Sequence, residues 1–330
     1  MTEYLISAII VSVVAFVVVY TTTPLLIKYL YRNNSTVPDI HKKGNPMIAR
    51  PGGPVIIAGI LASESILYVF FPNASILAIM VTSSLAFIIG FIDDKKVMGG
   101  WFKPLALAAA SIPIILLGTY DDTLTFPIFG NVHIPLIYLG MVILIIPITG
   151  NTLNSIDILN GVVSGFTVIA STSLTISLVI IENYDIAISS LPLIFVSLAF
   201  YKYHKIPSRI FPGDSGALTF GAMYGTISIV GHVEIIAAIA LLPAIINSFL
   251  FLSSTKRIVE HRNVKLKPVM VTDDFKLKAI KEPGAPITLF RIIVSHFPMT
   301  DKQVSYVIFK LAIFSGILSI ITAFLMDVKF

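Results

Sequence analysis

The stretch ASILAIMVTSSLAFIIG, residues 74–90, carries no charge, and runs like it recur throughout the 330-residue chain. About 20 consecutive apolar residues cross a bilayer as a helix, because in hydrocarbon a helix satisfies its own backbone N–H and C=O groups. Runs that qualify cover 4–27, 53–72, 74–92, 104–120, 134–150, 161–181, 186–201, 216–231, 235–254 and 303–326, with Glu64 and Lys310 as interruptions. They predict an all-α integral membrane protein, a bundle of about ten transmembrane helices forming a single polytopic domain over 1–330. Composition agrees: charged residues make up 12% of the chain, about half the share of a soluble domain. The absence of cysteine excludes disulfides and thiolate metal sites. The N-terminus lacks the basic flank of a cleavable leader and reads as a retained first span.

Positive charge orients the spans, since Lys and Arg accumulate in cytoplasmic loops. Segments 28–52, 93–103, 202–215 and 255–302 hold 21 of the 23 Lys and Arg residues. The intervening loops hold Asp121, Asp122, Glu182, Asp185 and Glu234 and no basic residue. This asymmetry predicts both termini outside, and the loops after the first, third, fifth, seventh and ninth spans in the cytoplasm. It makes the protein a multi-pass component of the cell membrane in contact with the lipid bilayer, with its polar loops on the cytoplasmic face.

Those loops carry more than topology signals. In FIDDKKVMGGWFK the adjacent Asp93 and Asp94 repel each other and are costly near hydrocarbon unless a cation holds them. A bound metal would do so, and so would pairing with Lys95 and Lys96 or capping of a helix end. One carboxylate is a candidate general base, and Lys103 a point charge for phosphate oxygens. In NTLNSIDILNG, Asn151, Asn154, Asp157 and Asn160 recur every third residue, so on a helix they would share a face. A lone Asn there would be a cap or interhelical contact; the group reads as a binding wall for a hard cation or a nucleobase edge. In FPGDSG, Asp214 is either an N-cap or a ligand aimed at its neighbours, and Phe211 offers a face for a base. Lys42, Lys43 and Arg50 lie in a basic first loop ending in Pro-Gly-Gly. The basic stretch around His261, Arg262, Lys265 and Lys267 reads anionic lipid or closes over a diphosphate. Together these loops suggest a magnesium site with phosphate-binding cations, where a water-soluble phosphate compound meets a lipid-borne one.

In combination these motifs resemble the polyprenyl-phosphate N-acetylhexosamine-1-phosphate transferases. That family includes dolichyl-phosphate GlcNAc-phosphotransferases and the bacterial phospho-MurNAc-pentapeptide translocase. FIDDKKVMGGWFKP resembles its Asp-Asp motif with a Lys ten residues on, NTLNSIDILNG its Asn-rich motif with Ile158 where Gly is usual, and FPGDSG its Phe-x-Gly-Asp motif. EHRNVKLKP is similar to the His-Arg motif of the GlcNAc branch, and the translocase branch's His-rich motif is not found. The resemblance implies Asn154 and Asp214 as Mg²⁺ ligands (Mn²⁺ as substitute), and Asn160 and Phe211 as uracil contacts with Asp157 in the same pocket. It further implies Lys103 and Arg262 on the diphosphate with His261 beside them, basic contacts from Lys42 and Lys43, and Asp93 and Asp94 near the lipid phosphate.

The expected activity is transfer of GlcNAc-1-phosphate from UDP-GlcNAc to polyprenyl (dolichyl) phosphate with release of UMP, as the first membrane step of lipid-linked glycan assembly. Its partners are these two substrates and the bilayer, with no nucleic acid, and the family's habit implies a homodimer. A close rival is the same chemistry on UDP-GalNAc or UDP-MurNAc-pentapeptide. A distant one is a secondary transporter, for which Glu64 is the one acid inside a span.

Overall fold

The computed structural model describes residues 2–40, 42, 44–96, 98–256, 264 and 266–327. Seven helices among them are long and apolar enough to cross a membrane. These are α1 (Thr2–Arg32), α2 (Gly53–Phe70), α3 (Ala74–Lys95), α6 (Pro135–Ile156), α7 (Val162–Ile180), α8 (Tyr184–His204) and α13 (Asp301–Asp327). The chain is a multi-pass helical membrane protein.

The other three expected spans are helical: two are broken within the span, and the third is continuous but wholly buried, each for a visible reason. Residues 104–120 fall in α4 (Phe102–Ala110) and α5 (Ile112–Leu116), two short helices parted at Ser111, with Pro113 in the first turn of α5. Proline lacks the N–H that would continue the ladder. Residues 235–254 fall in α10 (Glu234–Ala240) and α11 (Leu242–Thr255), which meet at 75° with Pro243 at the bend. Residues 216–231 lie in α9 (Gly213–Val230), whose 18 residues are all buried. A helix sheathed by other helices needs close-fitting surfaces more than apolar ones, and its Gly, Ser and Thr content supplies them. Among the described residues three two-stranded antiparallel ribbons occupy connections: β1 (Thr36–Pro38) with β2 (Met47–Ala49), β3 (Thr123–Phe126) with β4 (Gly130–His133), and β5 (Val269–Val271) with β6 (Leu277–Ala279). A short helix, α12 (Leu289–Ile293), precedes α13.

Helix α9 is the axis of the bundle. The last turns of α3 reach its N-terminus, where a Cβ on Gly90 would come within 2.5 Å of Ser215 Cα. Helix α2 starts at the same level, with Gly53 against Ser215 and Gly216. Helix α6 runs antiparallel to α9: Gly221 meets Thr149 and Gly150, and Gly225 meets Ile146. That register carries the last turn of α6 to the first turn of α9. The ends of α2, α3, α6 and α9 that bear most of the polar motifs therefore converge at one end of the bundle.

Candidate active site

Asp94 closes α3 and fixes the start of α9. Its Oδ1 accepts the Asp214 backbone N–H at 3.0 Å and an Arg50 N–H at 3.0 Å; its Oδ2 accepts the Ser215 backbone N–H at 2.9 Å and the Ser215 hydroxyl at 2.7 Å. The first N–H groups of a helix have no partner within it, and the dipole there favours an anion. Gly213 makes the approach feasible: its φ is +72°, and a Cβ there would lie 2.6 Å from Asp94 Oδ2. So Asp94 is anchored by four donors.

Asp214 lies in that first turn. Its Oδ1 is 3.2 Å from Lys103 Nζ and its Oδ2 3.3 Å from Arg50. Lys103, brought in by α4 and only 3% exposed, also sits 3.0 Å from Asp93 Oδ2. Asp93 is wholly buried, and its Oδ1 accepts the Met98 backbone N–H at 2.8 Å. Arg50, one residue past β2, bridges Asp94 and Asp214. Burial opposes its charge, but Asp94, Asp214 and Asp157 outweigh that and raise its pKa, keeping it cationic.

Beyond the last turn of α6 the chain departs from the expected helix. Helix α6 ends at Ile156, Asp157 is its C-cap, and Gly161 at φ +82° opens α7. Asn151, Asn154, Asp157 and Asn160 therefore do not share one helical face, because the backbone turns after Ile156. Asn151 donates back to Pro147 O within α6 at 2.8 Å. Asn154 is half-buried in the last turn, with no hydrogen bond to its amide among the described residues. Asp157 has His204 Nε2 3.7 Å away. Burial pushes its carboxyl up to about 8, Asp214 and Asp94 adding to the rise and Arg50 opposing it. Asn160 is buried and donates from Nδ2 to Asp39 Oδ2 at 2.7 Å. Ile158, where a glycine was expected, is not among the residues of positive φ and packs on the main core, so this backbone path does not require glycine.

Phe211 meets the His204 ring edge-on, with centroids 6.2 Å apart. Its N–H donates to Ala49 O at 2.9 Å, so the β1–β2 ribbon that follows α1 also braces this ring. Lys42 is placed against buried Asp301 at the start of α13, at 2.7 Å. Lys43, His261 and Arg262, and with them Lys265, lie outside the described residues.

The structure thus brings Asp93, Asp94, Lys103 and Asp214 into one cluster with Asp157 within electrostatic reach. It adds Arg50, Ser215 and Asp39, to which the sequence reading gave no site role. Arg50 had a signal: it abuts a Pro-Gly-Gly turn that fixes its backbone against α9, where Gly52 N–H donates to Phe211 O at 2.8 Å.

Among the described residues four carboxylates (Asp93, Asp94, Asp157, Asp214) face two cations (Arg50, Lys103). When all are ionised, the excess of two negative charges matches one divalent cation. Among the described residues no three His or acidic side chains form a metal cage. A small hard ion that takes one or two carboxylates and completes its shell with substrate phosphate and water does not need one. The Asp214 carboxylate and the uncommitted Asn154 amide, both oxygen donors at the meeting of α6 and α9, fit Mg²⁺ in that manner.

The sequence profile of glycosyl transferase family 4 matches residues 76–232, which contain Asp93, Asp94, Lys103, Asp157, Asp214 and Ser215 but neither Arg50 nor Asp39. A protein of Saccharolobus solfataricus, provisionally named UDP-N-acetylglucosamine–dolichyl-phosphate N-acetylglucosaminephosphotransferase, is 29% identical over 245 residues, 72% of this chain and 75% of that one. A provisionally named glycosyltransferase of Methanocaldococcus jannaschii is 26% identical over 97% of this chain and 98% of its own. A phospho-N-acetylmuramoyl-pentapeptide-transferase of Staphylococcus haemolyticus is 26% identical over 79% of this chain and 88% of its own. Over residues 76–232, the segment that carries most of the cluster, the chain is similar to glycosyl transferase family 4.

Proposed function

We propose that this protein transfers GlcNAc-1-phosphate from UDP-GlcNAc to a polyprenyl phosphate, dolichyl phosphate in type, with release of UMP. The observation that carries the reading is the set Asp93–Lys103–Asp214–Arg50–Asp94, two cations interleaved with three carboxylates, all but Arg50 with buried side chains, at one end of a membrane bundle. Such a set suits a diphosphate and a metal together, in surroundings dry enough for charge to act strongly. The His-Arg motif and the likeness to the S. solfataricus protein favour UDP-GlcNAc over UDP-GalNAc or UDP-MurNAc-pentapeptide.

Asp214 and Asn154 would hold Mg²⁺, whose chemistry there is to neutralise charge on the diphosphate and on the departing UMP. Lys103 and Arg50 supply cationic donors to the phosphoryl oxygens, Arg50 through a planar fork and Lys103 as a point charge. An oxygen of the lipid phosphate forms the new bond to the β-phosphorus. The bridging P–O bond breaks, and its electron pair stays on the UMP phosphate. A phosphate monoester is mostly ionised at neutral pH, its second pKa being about 6, so the attack needs no strong general base. Asp94 has both oxygens committed to the start of α9, and Asp93 is committed to Lys103 and Met98 N–H; their task is to hold the cations in place. Phe211 and Asn160 take the uracil, with Asp157 beside them, and His261 and Arg262 close on the diphosphate from the last basic loop. The charge asymmetry of the loops supports ten spans with outside termini and this site on the cytoplasmic face.

The test uses purified protein with UDP-GlcNAc labelled in the uridine. Labelled UMP should appear only when polyprenyl phosphate and Mg²⁺ are both present, and unlabelled UDP-GlcNAc should compete better than UDP-GalNAc or UDP-MurNAc-pentapeptide. Tracer flux across liposomes without turnover would instead identify a transporter.

A further inference from the structure

The Asn160 amide is held by a carboxylate from a distant part of the chain. Asp39 directly follows β1, 121 residues before Asn160, and its Oδ2 accepts the Asn160 Nδ2–H at 2.7 Å. Both side chains are buried, Asp39 at 4% exposure and Asn160 at 5%. The contact removes an ambiguity inherent in an amide. Asparagine presents a carbonyl acceptor and an NH₂ donor of nearly equal shape, and either can turn to a given side. A carboxylate accepts only, so facing Asp39 the amide must turn its NH₂ that way. One N–H is then used by Asp39. The other N–H and the carbonyl, to which no described residue donates, remain side by side in fixed order.

A donor–acceptor edge in fixed order reads a pyrimidine. Uracil offers an acceptor, O4, next to a donor, N3–H. Cytosine offers the reverse, a donor N4–H₂ next to an acceptor N3. An amide free to flip would pair with both bases equally well, while an amide locked in one sense pairs with one. The β1–β2 ribbon that ends beside Asp39 also ends, through Ala49, at the backbone of Phe211. The residue that orients the amide and the ring that would stack the base are thus tied to one small ribbon.

We propose that Asp39 is a positioning residue for base selection: by fixing the orientation of the Asn160 amide it makes the nucleotide pocket accept uridine nucleotides and reject cytidine nucleotides. This rests on the assignment of Asn160 to the uracil under the proposed function.

The test measures equilibrium dissociation constants of UMP and CMP for the full-length protein in detergent with Mg²⁺, for wild type, Asp39→Asn, Asp39→Ala and Asn160→Ala. A dissociation constant does not depend on the fraction of protein that folded, so partial misfolding of a variant leaves the UMP/CMP ratio readable. Wild type should prefer UMP by about tenfold or more, the discrimination typical of a good bidentate amide–base pair. The preference should collapse to within about threefold in both Asp39 variants and vanish in Asn160→Ala. For Asp39→Asn, the KM for UDP-GlcNAc should rise by more than kcat falls, because the amide recognises the base and not the reacting phosphates. Retention of the wild-type ratio in both Asp39 variants overturns the proposal, as does an equal weakening of UMP and CMP, which marks a merely structural contact. If wild type itself shows no preference for UMP, this proposal and the uridine reading of the pocket fall together; if wild type shows it and the Asp39 variants keep it, only the role of Asp39 falls.

Discussion

Lys103 Nζ lies 3.2 Å from Asp214 Oδ1 with both side chains buried, although 111 residues separate them. The same ammonium is 3.0 Å from Asp93. Lys103→Met leaves two buried carboxylates without this cation. Breaking a buried pair from one side costs about 3–5 kcal/mol, and loss of a charge aimed at the reacting phosphate costs about 10²-fold or more in rate. We expect both effects, read as a lower thermal midpoint and a matching loss of UMP release. A variant that kept full turnover would remove Lys103 from the site.

Asp214→Ala should abolish turnover, and raising Mg²⁺ should not restore it, because the carboxylate that would bind the ion is gone. Asn154→Ala should weaken the Mg²⁺ requirement's apparent affinity while leaving residual turnover at high Mg²⁺, since a neutral amide contributes less than a carboxylate to a hard cation. Titration of UMP release against Mg²⁺ separates the two. Equal Mg²⁺ dependence in wild type and Asn154→Ala counts against Asn154 as a ligand.

Asp94→Asn keeps the shape of a side chain that anchors α9 but turns an NH₂ toward donors on one side. Stability and activity should fall together, with no change in the pH dependence of turnover. Loss of the acid limb of the pH–rate profile at unchanged stability would instead point to a proton-accepting role.

The burial of Asp157 predicts a pH effect in Mg²⁺-free buffer. Its folded-state pKa is about 8, above the usual value of about 3.9. Its protonated form is favoured by folding, so the stability it contributes is complete below about pH 4, declines as pH rises and is exhausted near pH 8. The thermal midpoint should therefore fall between pH 6 and 8, and Asp157→Asn should flatten that fall. Parallel curves for the two proteins would place the titration elsewhere.

Glu64 in α2 is wholly buried, and among the described residues neither carboxylate oxygen has a hydrogen-bond partner. An unpaired buried polar group costs about 1–3 kcal/mol. Glu64→Met, of similar volume, should raise the thermal midpoint and leave UMP release intact. Abolished turnover in a stable Glu64→Met protein would give this acid a functional role.

Much of this molecule was legible in the chain because bilayer physics writes itself into composition. A helix facing lipid must be apolar over its whole length, so α1, α3 and α13 stand out at once. The same rule found α9 as a run but not its place, since α9 faces only other helices and is built of small and hydroxylated residues. It also ran straight through Pro113 and Pro243, where the backbone breaks. Asp93, Asp94, Lys103 and Asp214 could be singled out because acids and a lysine at the edge of apolar runs are expensive. Asp39 sits in a loop already rich in polar residues, where nothing local marks it, and Arg50 in the same loop had only the Pro-Gly-Gly turn beside it as a signal.

By itself the sequence determined a membrane-embedded helical protein, the polar character of its loops and which acids, amides and cations stand at the edges of its apolar runs, because solvation energy acts residue by residue. Only the tertiary structure decided which charge meets which. Arg50 rather than a neighbouring lysine bridges Asp94 and Asp214, Asp94 is spent on the start of α9, and Asp39 holds Asn160. Those pairings arise between segments far apart in the chain, set by how α2, α3 and α6 pack around α9, and no local pattern encodes a partner that only packing brings near.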